Sequence, residues 1–272
     1  MLAVTILGNN SALSMHNRHQ TSQVVTADHE LFLVDCGEST QLQMQRYKIR
    51  KSKINHIFIS HLHGDHYYGL PGLLNTFSLT NRAEPLHVYA VPELKEIIDL
   101  QLRVSDSSFN FEFIFHPITE AGALLELPNL TVSCFAVSHR IPCWGFLFTL
   151  RSKPERVKDG ELIRPAIPSM SYAYCADTKY DESIIPTIID ADLIYHEATY
   201  LDDQVEKASP RFHSSSTQAA TIALKSGAKR LLLGHFSSKY EDISQFETEA
   251  KKTFPNTEVS KEGVTYLIAP FN

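Results

Sequence analysis

The sequence predicts a layered α/β protein, with large sheets inside and helices outside. Eleven short runs rich in β-branched and aromatic residues recur along the chain, bounded by turn formers. Five helical patterns fall between them, opening on Ser, Gly, Pro or Asp. At 272 residues, with 43% hydrophobic and 21% charged, the chain is long enough for one large core or two small ones.

In order, residues 2–7, 23–26 and 30–34 read as strands, and a helix over 39–47 follows Gly37-Glu38. A strand at 56–60 precedes a helix at 69–79 with Pro71 in its first turn. A strand at 86–90 leads to a helix at 92–103 that starts on Pro92. Strands follow at 111–115, 130–137, 145–150 and 171–175. Between the last two, residues 151–170 hold Pro154, Pro165, Pro168 and several basic residues, and read as an exposed loop or short arm. Strands at 193–196 and 230–233 are followed by helices at 214–226 and 242–253.

No apolar run approaches the length of a membrane span, and the N-terminus reads as a strand rather than a signal peptide. Cys36, Cys134, Cys143 and Cys175 form no CxxC pair and read as small buried hydrophobes, so a reducing cytoplasm is expected. The net charge of −6 does not advertise nucleic-acid binding, though a local basic patch can supply it. The basic run 48–53 reads as a solvated turn. Histidine is the unusual component, with 13 copies.

Four of the metal-type residues sit in six positions. The strand at 56–60 runs into His61-Leu62-His63-Gly64-Asp65-His66. His61 and His63 lie two apart, so an extended backbone points both imidazoles one way, and Gly64 is expected to allow a sharp turn. Asp65 and His66 then face a second point nearby. This density of ligands after an apolar strand predicts two metal ions. Imidazole and carboxylate suit zinc, with manganese or iron as substitutes. His139, Asp177 and His235 each lie one to three residues beyond the end of a strand, as the first loop does, so all can converge on one sheet edge.

These residues resemble the metallo-β-lactamase superfamily and, more narrowly, the ribonuclease Z family of tRNA 3′-processing endonucleases. Asp35-Cys36-Gly37-Glu38-Ser39-Thr40-Gln41 resembles the family's DCGEGTQ, and Gly69-Leu70-Pro71-Gly72-Leu73-Leu74 matches the stretch after its metal loop. His196-Glu197-Ala198-Thr199 matches its HEAT motif, and the stretch from Gly234 to Tyr240 resembles its HFSSRY ending. The resemblance implies an αββα sandwich of two mixed sheets flanked by helices, as a single domain over residues 1–272. It implies that His61, His63 and His139 hold one ion, that Asp65, His66 and His235 hold the other, and that Asp177 bridges them. Asp35 would orient the metal loop. The family's His-Ser-Thr stands here as His213-Ser214-Ser215, and of its PxKxRN loop only Arg18 is kept, within Ser14–His19. The family's long exosite arm corresponds to a short segment, 151–170.

The chemistry expected is zinc-dependent removal of the 3′ trailer from precursor tRNA. Two metal ions clamp the phosphodiester and activate water, and the products are a 3′-hydroxyl and a 5′-phosphate. Asp65 is the candidate general base as well as a ligand. By resemblance His213 gives the leaving ribose oxygen its proton, while Glu197 holds the imidazole. The resemblance also implies a homodimer. A phosphodiesterase of small substrates is the nearest rival, since the same centre would serve it and a short arm favours it. A β-lactamase or thioesterase on the same metal site is disfavoured by the HEAT and HFSS motifs, and an inactive binding protein by the complete ligand set.

Overall fold

A computed structural model describes residues 1–158 and 161–269. Two seven-stranded sheets face one another. The first runs, edge to edge, Thr265–Ile268, Leu2–Gly8, Ser22–Ala27, Glu30–Cys36, Ile54–Phe58, Leu86–Ala90 and Phe113–Pro117. The second runs Thr257–Val259, Leu231–Gly234, Leu193–Glu197, Met170–Cys175, Trp144–Leu150, Leu130–Ala136 and Gly122–Glu126. Each sheet is antiparallel in one half and parallel in the other.

Side-chain alternation separates the layers. In the first sheet Phe32, Val34, Phe58 and Tyr89 point at the second sheet. Their neighbours Leu33, Ile57, Val88 and Ala90 point the other way and meet Met44, Leu70, Leu73, Leu94 and Ile98 on helices Thr40–Arg46, Gly69–Leu79 and Glu93–Val104. Phe58 packs against Tyr89, Phe146 and Phe148, and a Phe so enclosed is worth about 3–5 kcal/mol against Ala. Helices Ser216–Lys225 and Ser244–Ala250 pack on the parallel half of the second sheet.

Three strands of the two large sheets are not expected from the sequence. Gly122–Glu126 is a largely exposed edge, and Thr257–Val259 and Thr265–Ile268 are short. Thr265–Ile268 exists because it pairs with the first strand, Ile268 opposite Leu2, a partnership local pattern does not reveal. The strand expected at 111–115 lies at Phe113–Pro117, where pairing of Leu86 with Phe113 and Ala90 with Pro117 sets the register. Residues 151–170 carry a ribbon, Arg156–Lys158 against Glu161–Arg164, outside both sheets. Residues 159–160 of that expected arm lie outside the described residues.

Away from the metal-type residues, His56, His87 and His116 form a ladder across three parallel strands. The rings of His56 and His87 stack at 4.8 Å, and His87 Nδ1 meets His116 Nε2 at 2.9 Å. Burial pushes His56 down to about 4, helped by His87, His116 and Arg82. The folded state therefore resists a proton that the unfolded chain accepts near 6.5. Stability falls as pH drops from about 6.5 to about 4. Thermal melts of His56→Phe are expected to lose less stability over that window than wild type, by on the order of 1–2 kcal/mol after discounting for the part-exposed ring. Parallel melting curves for the two proteins at every pH would contradict this.

Candidate metal centre

The strand Ile54–Phe58 and the strands Met170–Cys175, Leu193–Glu197 and Leu231–Gly234 end at the same edge of the sandwich. Ligands in open parallel sheets collect beyond the carboxyl ends of strands. The two sheets are tied there, as Trp144 N donates to the Ser60 carbonyl at 3.0 Å. Gly64 opens a one-turn helix, Gly64–Tyr67, and its backbone carries no positive φ. A Cβ there would stand 2.1 Å from the ring of Tyr68, an exposed side chain that would have to swing aside. The expected turn is made where extended backbone at His63 passes into that helix.

All seven expected ligands come together. Donor atoms of His61, His63, His139 and Asp177 lie within 4.8 Å of one another, and so do those of Asp65, His66 and His235. His63 Nδ1 stands 3.1 Å from His61 Nε2 and 3.0 Å from His139 Nε2. His66 Nε2 and His235 Nε2 are 3.2 Å apart. Asp177 reaches both groups: Oδ2 is 3.7 Å from His61 Nε2, while Oδ1 is 3.3 Å from His66 Nε2 and 3.1 Å from His235 Nε2.

The residues fit a divalent ion on three grounds. Asp177 Oδ1 is buried with no hydrogen bond, despite the imidazoles around it. The inward nitrogens face one another rather than donors, as lone pairs aimed at a common point do. Burial holds His61 and His139 below the usual imidazole range and brings His63 down to about 4, so their lone pairs are free at neutral pH. Burial disfavours charge on His66 too, but Asp177, Asp35 and Asp65 outweigh it and raise its pKa. Carboxylates that favour a proton there favour a divalent cation equally. The four cysteines are free, buried and outside these donor groups.

The outer nitrogens of His66, His139 and His235 are held too, which fixes those tautomers. His66 Nδ1 donates to Asp35 Oδ2 at 2.7 Å, and Asp35 also accepts from Ser60 N at 2.8 Å and from Tyr174 Oη at 2.5 Å. His139 Nδ1 donates to the Phe212 carbonyl at 3.0 Å. His235 Nδ1 meets Thr199 Oγ1 at 2.9 Å, which itself donates to Glu197 Oε2 at 2.8 Å. Tyr174 and the Phe212 carbonyl escaped sequence reading because nothing local marks them. Thr199 was visible as the last residue of the HEAT motif.

Glu197 and His213 form a pair. His213 Nδ1 donates to Glu197 Oε1 at 2.9 Å, and that oxygen also accepts from Thr178 N and Ser214 N. Burial works against charge on His213, but Glu197, with Asp177 and Asp65 behind it, raises its pKa to about 9. Ser215, where the family pattern has Thr, caps the helix Ser216–Lys225 in a reciprocal box with Gln218. A serine hydroxyl serves there as well as a threonine's.

His63, Asp65, His139, Asp177 and His213 line one cleft of about 530 Å³, whose rim includes Arg140 and Arg211. Ala12 N donates to Asp65 Oδ2 at 2.7 Å. Arg18 does not face the cleft's donors. It donates to Asn10 Oδ1 and to the Tyr240 and Glu241 carbonyls, pinning its loop to the Phe236–Ser237 segment's extension. Ala12, Asp35, Phe212 and His235, all at or beside the centre, have positive φ. Such strain collects at functional sites and is held by surrounding structure.

A family model described as Anti-Pycsar protein Apyc1 matches residues 2–257. A ribonuclease Z of Parabacteroides distasonis is 38% identical over 295 aligned residues, covering 96% of this chain and 97% of that one. Human tRNase Z, short form, superposes with a TM-score of 0.80 at 28% identity, covering 98% of this chain and 100% of the other. The metallo-β-lactamase fold protein YhfI of Bacillus subtilis superposes with a TM-score of 0.79 at 21% identity over 97% and 98% of the two chains, a likeness of fold. The αββα sandwich expected from the resemblance is thus the fold found. This chain belongs to the ribonuclease Z family, on the metallo-β-lactamase fold, and to the family that the Apyc1 model describes.

Proposed function

We propose that this protein is an endoribonuclease that removes the 3′ trailer from tRNA precursors. The observation that carries the reading is the Glu197–His213 pair, set 2.9 Å apart beside the two donor groups in one cleft, in a chain whose relatives are ribonucleases Z. The donor chemistry supports two zinc ions per chain, with manganese as a substitute: His61, His63 and His139 for one, Asp65, His66 and His235 for the other, Asp177 between. Bound ions would supply the positive charge that makes water nucleophilic at neutral pH and steadies the phosphate. Asp65 orients the attacking water and takes its proton. His213, protonated and held by Glu197, gives a proton to the leaving 3′ oxygen, so the tRNA keeps a 3′-hydroxyl and the trailer a 5′-phosphate.

The reading takes residues 1–272 as one domain and 151–170 as a short form of the family's arm. Among the described residues no helix is long and apolar enough to cross a membrane, in keeping with work in the cytoplasm. Leu42, Tyr68 and Leu79 expose apolar surface on or beside the helices outside the first sheet, in keeping with a homodimer.

The test is incubation of purified protein with a 3′-extended pre-tRNA and mapping of the cut, alongside metal analysis. Cleavage at the trailer junction leaving a 3′-hydroxyl is expected. A second reading, a phosphodiesterase of small substrates, draws on the shortness of the ribbon that Arg156–Lys158 forms with Glu161–Arg164. Hydrolysis of bis-p-nitrophenyl phosphate without cleavage of pre-tRNA would select it.

A further inference from the structure

The cations around the cleft are not equivalent. Arg211 donates to Tyr200 Oη at 2.8 Å, and Lys179 lies over the Phe212 ring at 5.5 Å. Arg140 is exposed on the rim and, among the described residues, forms no ion pair with a carboxylate. Its Nη2 stands 3.0 Å from His63 Nε2. His63 is also the one ring that turns its Nδ1 inward, toward His61 and His139. The contact of Arg140 with His63 uses one nitrogen of the guanidinium and leaves Nε and Nη1 without a partner among the described residues.

A planar five-donor fork at the mouth of a phosphodiester cleft, without a carboxylate to neutralise it, matches a phosphate in shape and charge. Arg140 also stands on the outer side of His63, a ring's width from the nitrogen that faces the donor cluster. That places it at the rim and not over the reacting centre. We propose that Arg140 is a substrate-binding residue whose guanidinium grips an RNA phosphate next to the one being cleaved. The inference rests on the proposed ribonuclease reading and extends it to a residue outside the metal and acid–base groups.

The experiment compares wild type, Arg140→Gln and Arg140→Lys. For Arg140→Gln, KM for a 3′-extended pre-tRNA is expected to rise about tenfold to a hundredfold, the loss typical of a charged hydrogen bond, with kcat little changed. The slope of log affinity against log salt concentration should fall by about one unit. Zinc content and bis-p-nitrophenyl phosphate hydrolysis should match wild type, because that substrate has no flanking phosphate. Arg140→Lys should fall between, keeping the charge and losing the fork. Unchanged KM and salt slope would overturn the proposal. So would lost zinc or an equal loss on both substrates, which would make Arg140 a prop for His63. If wild type does not cut pre-tRNA, the ribonuclease reading fails separately. Arg140 is then judged by anisotropy with a labelled single-stranded oligoribonucleotide: about tenfold weaker binding by Arg140→Gln supports the grip, and equal binding overturns it.

Discussion

Asp177→Ala is expected to leave one metal ion or fewer per chain and to reduce pre-tRNA cleavage to background. Asp177 is 2% exposed, and its two oxygens face different donor groups, His61 on one side and His66 with His235 on the other. Burial alone would raise its pKa, but His235, His66 and His61 hold it well below the usual carboxylate range, so it presents a full negative charge to both groups. Removing it leaves the five imidazoles of the two donor groups with Asp65 as the one carboxylate among them and less charge to attract a cation. Even partners of metal ligands cost roughly 10–100-fold in affinity when lost, and a residue facing both donor groups should cost more. Asp177→Asn keeps the volume and removes the charge, so its metal content separates the two contributions. Elemental analysis and cleavage assays on both variants, with thermal melts in chelator as a folding control, provide the check. Two ions and wild-type turnover in Asp177→Ala would refute the bridging role.

His213→Ala should behave differently, slowing cleavage by about 10²–10⁴-fold with both ions retained. The ring lines the cleft, and its proton-bearing Nδ1 is committed to Glu197, leaving Nε2 to act on substrate. Glu197 does more than hold that ring. Its two oxygens accept from Thr178 N, Ser214 N, Thr199 N, Thr199 Oγ1 and His213 Nδ1, so it anchors the loops that carry His213 and His235. Glu197→Gln is therefore expected to lower the melting temperature as well as the rate, whereas His213→Ala lowers the rate with little change in melting. Loss of zinc from His213→Ala would recast that residue as a ligand.

The metal loop was legible because chemistry and spacing coincide within six residues, and no packing demand explains four ligand-type side chains there. His139, Asp177 and His235 were legible by a weaker rule, their place just past strand ends, which works because parallel strands deliver their following loops to one edge. The C-terminal strand Thr265–Ile268 was not legible, since its reason for existing is a partner at the other end of the chain. Nor were the contacts of Arg18. The residue that survives from the PxKxRN pattern spends its guanidinium on backbone carbonyls more than 220 positions away.

The amino-acid sequence by itself determined the fold class and the family and marked the candidate donor residues, because these depend on side-chain type and local spacing. Tertiary structure alone decided which nitrogen of His66, His235 and His139 points inward, since that is set by Asp35, Thr199 and the Phe212 carbonyl, groups brought from distant parts of the chain. It also decided that Ala12, Asp35, Phe212 and His235 hold positive φ, a conformation their own propensities oppose and only surrounding packing sustains. And it left Arg140 at the mouth of the cleft without a carboxylate partner among the described residues, a property of what surrounds a side chain that no reading of its neighbours along the chain can supply.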